Sequence, residues 1–203
     1  MTTFLQLKTD ILSWLARSED TNFQAQLPQL IKLAERRLNR DIRFRGQELV
    51  TTITCNLPLS PLPGDFLEAR AVVLQGGKVL ELMSPEVIRE RFYDNAIGEP
   101  QAYSLEAFSI FLMPFQETRI DLVYYRAFTD FALDEDTNFL LVSHYDMFLY
   151  LCLAVAYAYL RNTEMARAFN EAYVAMRDDA GKAEVAAKSR GSAFVSHHSR
   201  RKP

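Results

Sequence analysis

The chain has 203 residues, enough for one good-sized domain or two small ones, and its 49% hydrophobic and 12% aromatic content is that of a globular protein. Cys55 and Cys152 lie far apart with no CxxC or metal spacing, which argues against a secreted disulfide scaffold and fits folding in a reducing compartment. The net charge is −3; the last sixteen residues carry +5 and no acid, so the first 187 carry −8, a balance that makes an autonomous DNA binder a poor fit.

The N-terminus lacks a basic region followed by an apolar run, so no signal peptide is expected. Thr3 to Ala16 reads as a first helix, capped by Thr3, with Phe4, Leu7, Ile11 and Leu15 at helical spacing. Ser18 to Asn22 is a polar break. A second helix is expected from about Gln24 to Arg45. Leu27, Ile31, Ala34, Leu38 and Ile42 share one face, and the cations Lys32, Arg36, Arg40 and Arg43 form a stripe opposite. Pro28 fits only a first turn, which moves the expected start to Gln26 or Leu27. Gly46 is the stop.

Glu48 to Cys55 is β-prone. Asn56 to Asp65, with three prolines and a glycine, reads as a loop. Phe66 to Leu74 is a strand, and Gln75-Gly76-Gly77-Lys78 a hairpin turn into Val79 to Leu82. Ser84-Pro85-Glu86 opens a short helix that ends near Asp94. Gly98-Glu99-Pro100 breaks the chain before three more strands, Ala102 to Leu105, Ser109 to Met113 and Arg119 to Tyr125.

Asp130 to Asn138 reads as an acidic solvated linker. Ser143 to Leu160 is a helix apolar on nearly all sides. Its uncharged run, Met147 to Leu160, is shorter than the about 20 residues of a membrane span. A last helix runs from Thr163 to about Lys188, with a seam of Phe169, Tyr173, Met176, Ala180, Ala183 and Ala187 and an end or bend expected at Gly181. The final residues, KSRGSAFVSHHSRRKP, form a cationic Gly/Ser-containing arm. Such an arm buries little apolar surface by itself and orders only on something it docks onto.

The expected fold is therefore α+β but mainly α. A helical bundle from residues 1–46 and 139–188 carries an inserted small antiparallel β-subdomain, 47–138, and an extended C-terminal arm, 189–203.

Catalytic candidates are few. His197 and His198 are adjacent and lack a carboxylate or cysteine at ligand spacing, so they read as part of the arm rather than a metal site. His144 beside Asp146 reads as a structural or capping group. The acidic run Asp130, Asp134, Glu135, Asp136 lacks the glycine and terminal glutamate of a calcium loop. No GxSxG, P-loop, GxGxxG or HExxH motif occurs. Tyr103, Phe108, Phe111, Tyr124 and Tyr125 read as core and interface residues of a half-buried sheet. No enzyme, cofactor or metal is implied. Lys32, Arg36, Arg40 and Arg43, together with the arm, leave a nucleic-acid-binding accessory protein as the alternative function.

Three segments carry a family resemblance. Residues 30–43 (LIKLAERRLNRDIR) resemble the second helix of tailed-phage head-to-tail adaptor proteins, podovirus-type above all. Residues 124–128 (YYRAF) with 137–150 (TNFLLVSHYDMFLY) resemble that family's strand-to-helix junction, and 62–68 (LPGDFLE) a recurring loop. The resemblance covers most of residues 25–175, in order. It implies a structural virion protein at the head-tail junction, made in the host cytoplasm. Its copies would form a ring, commonly of twelve, between the portal protein and a tail nozzle or tail-tube protein. DNA would pass through the channel without specific binding, and no membrane would be involved. The arm lies outside the matched segments. Its expected role, portal docking through Lys188, Arg190, Phe194, Val195, His197, His198, Arg200, Arg201 and Lys202, rests on its charge and its small apolar anchor. Lys32, Arg36, Arg40 and Arg43 are the candidate inter-subunit or partner face.

Overall fold

The computed structural model describes residues 2–93 and 96–191. In chain order the elements are α1 (Phe4–Trp14), α2 (Thr21–Asp41), β1 (Glu48–Cys55), β2 (Leu59–Pro61), β3 (Phe66–Leu74), β4 (Glu81–Leu82), α3 (Pro85–Arg91), β5 (Ala102–Glu106), β6 (Ser109–Met113), β7 (Thr118–Arg126), α4 (Phe139–Ser143), α5 (Tyr145–Tyr159) and α6 (Thr163–Gly191). The chain divides into two units. One is helical, built from the residues up to Ile42 and from Phe131 onward; the other, Arg43–Asp130, holds all seven strands and α3.

In the helical unit, Thr3 caps α1 by accepting from Gln6 N at 3.3 Å, and Phe4, Leu7 and Ile11 are buried. Each fully buried side chain of this size contributes about 1.5–3 kcal/mol. Asp20, which accepts from Phe23 N at 3.0 Å, caps α2 and starts it at Thr21, ahead of Gln24 and further ahead of the Gln26 or Leu27 start that Pro28 suggested. Pro28 consequently lies well inside α2. Its side chain is exposed, and the amide it lacks removes one hydrogen bond from the helix. The helix expected over 143–160 is α5, Tyr145–Tyr159, and a short helix that the sequence did not suggest, α4, precedes it. Asn138 caps α4 by accepting from Leu140 N and Leu141 N at 3.0 and 3.2 Å, and His144 breaks the path at φ −141°, ψ 43°. α5 buries residues all round, among them Met147, Phe148, Leu151, Cys152 and Leu153. α6 continues through Gly181, where an added Cβ would stand 3.8 Å from Ile42 Cδ1, an ordinary contact.

The acidic segment before α4 is not a solvated linker. Its carbonyls at Asp136 and Asp134 accept from Phe4 N (2.9 Å) and Leu5 N (3.0 Å), closing the N-terminus of α1. Asp134 also pairs with Lys8 at 2.5 Å, Phe131 stacks on Phe4 at 4.7 Å, and the Asp136 side chain accepts from Ala132 N and Leu133 N, both at 2.7 Å. Unsatisfied amides at a helix start attract carbonyls as strongly as side-chain caps do, and composition alone does not show this.

In the β unit, β1, β7 and β3 form one antiparallel sheet in that order; β2, β6, β5 and β4 form the second. Alternation drives the packing. Ile110 and Leu112 of β6 and Tyr103 of β5 point one way, joining Cys55, Val72, Leu74, Ile120, Leu122 and Tyr124 from the first sheet in one core. Ala102 and Met113 point the other way, where α3 lays Ile88 on them beside Met83. Ser84 caps α3 and Pro85 opens it, as the sequence predicts.

These sheets overturn the expected fold class. The described residues are 47% helical and 24% strand, with six helices and seven strands in two sheets. The protein is mixed α/β, not a mainly helical bundle with a small β insert. Two short strands depart most from the expected β layout. β2 lies inside the proline-rich stretch, at a sheet edge that tolerates Pro61. The chain after the Gly76-Gly77 turn pairs with β3 briefly, around the Val73–Val79 bridge with Leu74 N bonded to Lys78 O and Leu80 N to Val72 O, then leaves so that β4 pairs in parallel with β5. The extended arm of the expected fold lies outside the described residues beyond Gly191, and the helix runs through the stretch 189–191 assigned to it.

Candidate functional site

Lys32, Arg36 and Arg40 stand exposed on α2, opposite its buried Leu27–Ile31–Ala34–Leu38 face. Arg43 does not join them. It falls after the helix end, in the β unit, half-buried and paired with Glu68 at 3.2 Å. A helical period carried past the true end of α2 placed it in the stripe. Of the arm residues, Lys188 and Arg190 belong to the backbone of α6, while Phe194, Val195, His197, His198, Arg200, Arg201 and Lys202 lie outside the described residues.

The cation that sequence periodicity passes over is Arg37. It donates to Asn170 Oδ1 at 2.6 Å, approaches Asp41 at 3.5 Å and stacks over the ring of Tyr173 at 5.0 Å. Tyr173 in turn donates its hydroxyl to Asp41 at 2.7 Å, and Arg177 flanks Asp41 at 3.6 Å. The α2–α6 seam is thus a charged network around a fully buried tyrosine. Asp10 of α1 accepts from the Tyr145 hydroxyl on α5 in the same manner.

Three exposed features were not legible in the sequence as surfaces. Trp14, the chain's one tryptophan, is 51% exposed and leads a cluster with Tyr150 (6.0 Å), Phe169 (5.9 Å) and, stacked on Phe169 at 5.5 Å, Tyr157. Exposed tryptophan and tyrosine clusters are favoured as anchors in protein interfaces. Phe108, expected in a core or interface, is 88% exposed on the two-residue β5–β6 turn, where Ala107 holds φ +51°. Tyr103, Tyr124 and Tyr125 are buried as expected, and Phe111 is half-buried under the Arg89 guanidinium, 5.1 Å away. Arg89, Phe92, Tyr93, Phe111 and Met113 line an open cleft of about 230 Å³ beside α3. The third feature is β1. It pairs with β7 along its whole length, and its other edge meets no further strand among the described residues.

The titratable groups are arranged for packing. Burial pushes the Cys152 thiol well up and the Cys55 thiol up, so both stay protonated and unreactive. Burial first, then the bond to Asp65, raises Tyr124 to about 12; burial and the bonds to Asp10 and Asp41 raise Tyr145 and Tyr173. Burial lowers His144, against the opposing pull of Glu184 and Asp146. Among the described residues no group of three or more His, Cys, Asp or Glu could hold a metal ion, and no helix is long and apolar enough to cross a membrane.

No curated protein matches the chain. A family model described as SU10 adaptor protein matches residues 2–198, which takes in both units and most of the C-terminal segment. The networks above bind elements to one another, and the exposed features are of the kind that proteins offer to proteins. On that match the chain belongs to the SU10 adaptor family of phage head-to-tail adaptor proteins.

Proposed function

We propose that this protein forms the adaptor ring that joins the capsid portal to the tail at the head-tail junction of the virion and extends the DNA channel. The observation that carries the reading is the family match from residue 2 to residue 198. Its role is structural and uses no catalytic step. Its partners are the portal protein, neighbouring copies in a ring of about twelve as the family resemblance suggests, and a tail nozzle or tail-tube protein. The −8 carried by the first 187 residues suits a channel that lets DNA slide, since a strongly basic wall would hold phosphate.

The residues beyond Gly191 act as the portal-docking strap, with Lys188 and Arg190 ahead of them at the end of α6. Phe194 and Val195 are the apolar anchor; Arg190, Arg200, Arg201 and Lys202 are the charged contacts. Repeated around an assembled ring, such contacts act together and strengthen attachment without any new contact. Lys32, Arg36 and Arg40 supply a face toward a neighbour or partner.

The test is to mix the purified protein with portal rings and image the product by electron microscopy. Added density as a ring on the tail-facing side of the portal is the expected result. A truncation lacking residues 189–203 should remain folded and fail to attach. Portal rings left bare by the full-length protein would overturn the reading. Retardation of DNA by the protein alone at physiological salt would replace it with the nucleic-acid-binding alternative.

A further inference from the structure

We infer that the open edge of β1 is a self-association surface that takes β1 of a second copy in antiparallel register. β1 runs eight residues against β7 without a bulge, from Glu48 opposite Tyr125 to Cys55 opposite Thr118. It contains no proline and no lysine, and it exposes Val50 (60%) and Leu49 (37%). Apart from the Glu48 amide, which bonds to Arg45 O, its backbone groups find partners only on β7 among the described residues. A long, flat, unprotected edge of this kind templates another strand.

The chain's other edges show what protection looks like. β3 carries register shifts between Phe66 and Glu68 and between Ala69 and Ala71, and the Val73–Val79 bridge covers its far end. β2 has three residues and β4 two, too few to run along β1. Of the strands in this chain, β1 itself is the one that fits.

Charge and register select the same partner. A two-fold axis at Thr51 sets Leu49 opposite Ile53 of the second copy, Val50 opposite Thr52, and Glu48 opposite Thr54. Thr54 is already opposite Arg119 on β7. Glu48 already pairs with Arg70 and accepts from the Tyr125 hydroxyl at 3.0 Å within its own chain; across the axis it lies two strand spacings, about 10 Å, from Arg119 of the other copy, so that arginine joins an anion that holds one cation already. Arg119 is exposed and meets no carboxylate among the described residues. The pairing satisfies both of these cations, one from each copy, and builds a six-stranded sheet from two three-stranded ones.

A two-fold contact does not close a cyclic ring, so this association belongs to the protein before assembly and is independent of the adaptor reading. Sedimentation velocity over a range of concentrations, without portal, should show a monomer–dimer equilibrium. Val50→Lys sets two cations diagonally across the axis and Arg119→Glu sets acid against acid. Each should raise the dimer dissociation constant by about tenfold, with the circular dichroism spectrum unchanged. Both native cysteines are buried. Under mild oxidation Thr51→Cys should therefore cross-link across the axis faster than Thr52→Cys, which sits two residues out of line. V50K should still assemble on portal rings, so failure here leaves the adaptor reading standing. A protein that stays monomeric at every concentration, a dimer indifferent to V50K and R119E, or equal cross-linking by the two cysteine variants would overturn the inference.

Discussion

Tyr173 on α6 donates its hydroxyl to the carboxylate of Asp41, the last residue of α2, at 2.7 Å, with its ring fully buried. The bond ties the end of one helix to the middle of another 132 positions along the chain.

Removing either partner tests it asymmetrically. Tyr173→Phe leaves Asp41 beside Arg37 and Arg177, so the loss should be about 1 kcal/mol. Asp41→Ala strands a buried hydroxyl and removes the anion between two arginines, at a cost of about 2–3 kcal/mol. Urea unfolding monitored by circular dichroism gives both values. A larger loss for the tyrosine variant would mean that the network is not organised around Asp41.

Gly181 sits in mid-helix where a methyl group has room against Ile42. Gly181→Ala should raise stability by about 1 kcal/mol, as expected for alanine over glycine in a helix interior. A fall in the thermal midpoint would show that this glycine is needed for close approach after all.

Alkaline stability should report the buried tyrosines. Tyr124 is raised to about 12 from an ordinary value of 10.0, and Tyr145 and Tyr173 are raised as well. An acid group whose folded value lies above its unfolded value favours the native state fully below the unfolded value. That advantage drains away as pH climbs from there toward the folded value. The thermal midpoint should thus hold to about pH 10 and then fall. Tyr124→Phe should be less stable than the parent at pH 8, with the gap closing above pH 10. A gap that stayed constant with pH would rule out the linkage.

Asp20 gives the opposite limb. The Phe23 amide and then Arg17 hold its carboxyl below the usual range. Its contribution is present above its unfolded value of 3.8 and vanishes as pH drops through the folded one. Asp20→Ala should lower the thermal midpoint at pH 7 and converge with the parent in acid. Divergence in acid would contradict the cap.

Reversing Arg36 and Arg40 to glutamate should weaken ring attachment to portal while leaving the thermal midpoint within a degree or so, because both side chains are exposed. Undiminished attachment would remove the α2 cations from the proposed partner face.

Local chemistry was well written in the chain. Ser84-Pro85 opens α3, Thr3 caps α1, and β1, β3 and β6 begin and end where β-prone runs meet turn residues. What stayed hidden depends on partners far away in sequence. Leu59–Pro61 becomes a strand only because β6 lies beside it. Asp134 and Asp136 read as solvated acids until the start of α1 is there to take their carbonyls. Arg43 belongs to the α2 stripe by period and to Glu68 by structure. The family was legible from helix and loop signatures. The surfaces it would use were not: an open edge or a half-exposed Trp14 is defined by what fails to cover it.

The closing of α1 by carbonyls from Asp134 and Asp136 has a consequence for biosynthesis. α1 waits for the growing chain to reach Asp136, and Asp10 waits longer still for Tyr145. The contiguous stretch Arg43–Asp130 is a compact unit of its own and can mature while α1 remains open. A chain stalled with Asp130 just clear of the ribosome should therefore display a protease-resistant β unit and a cleavable α1.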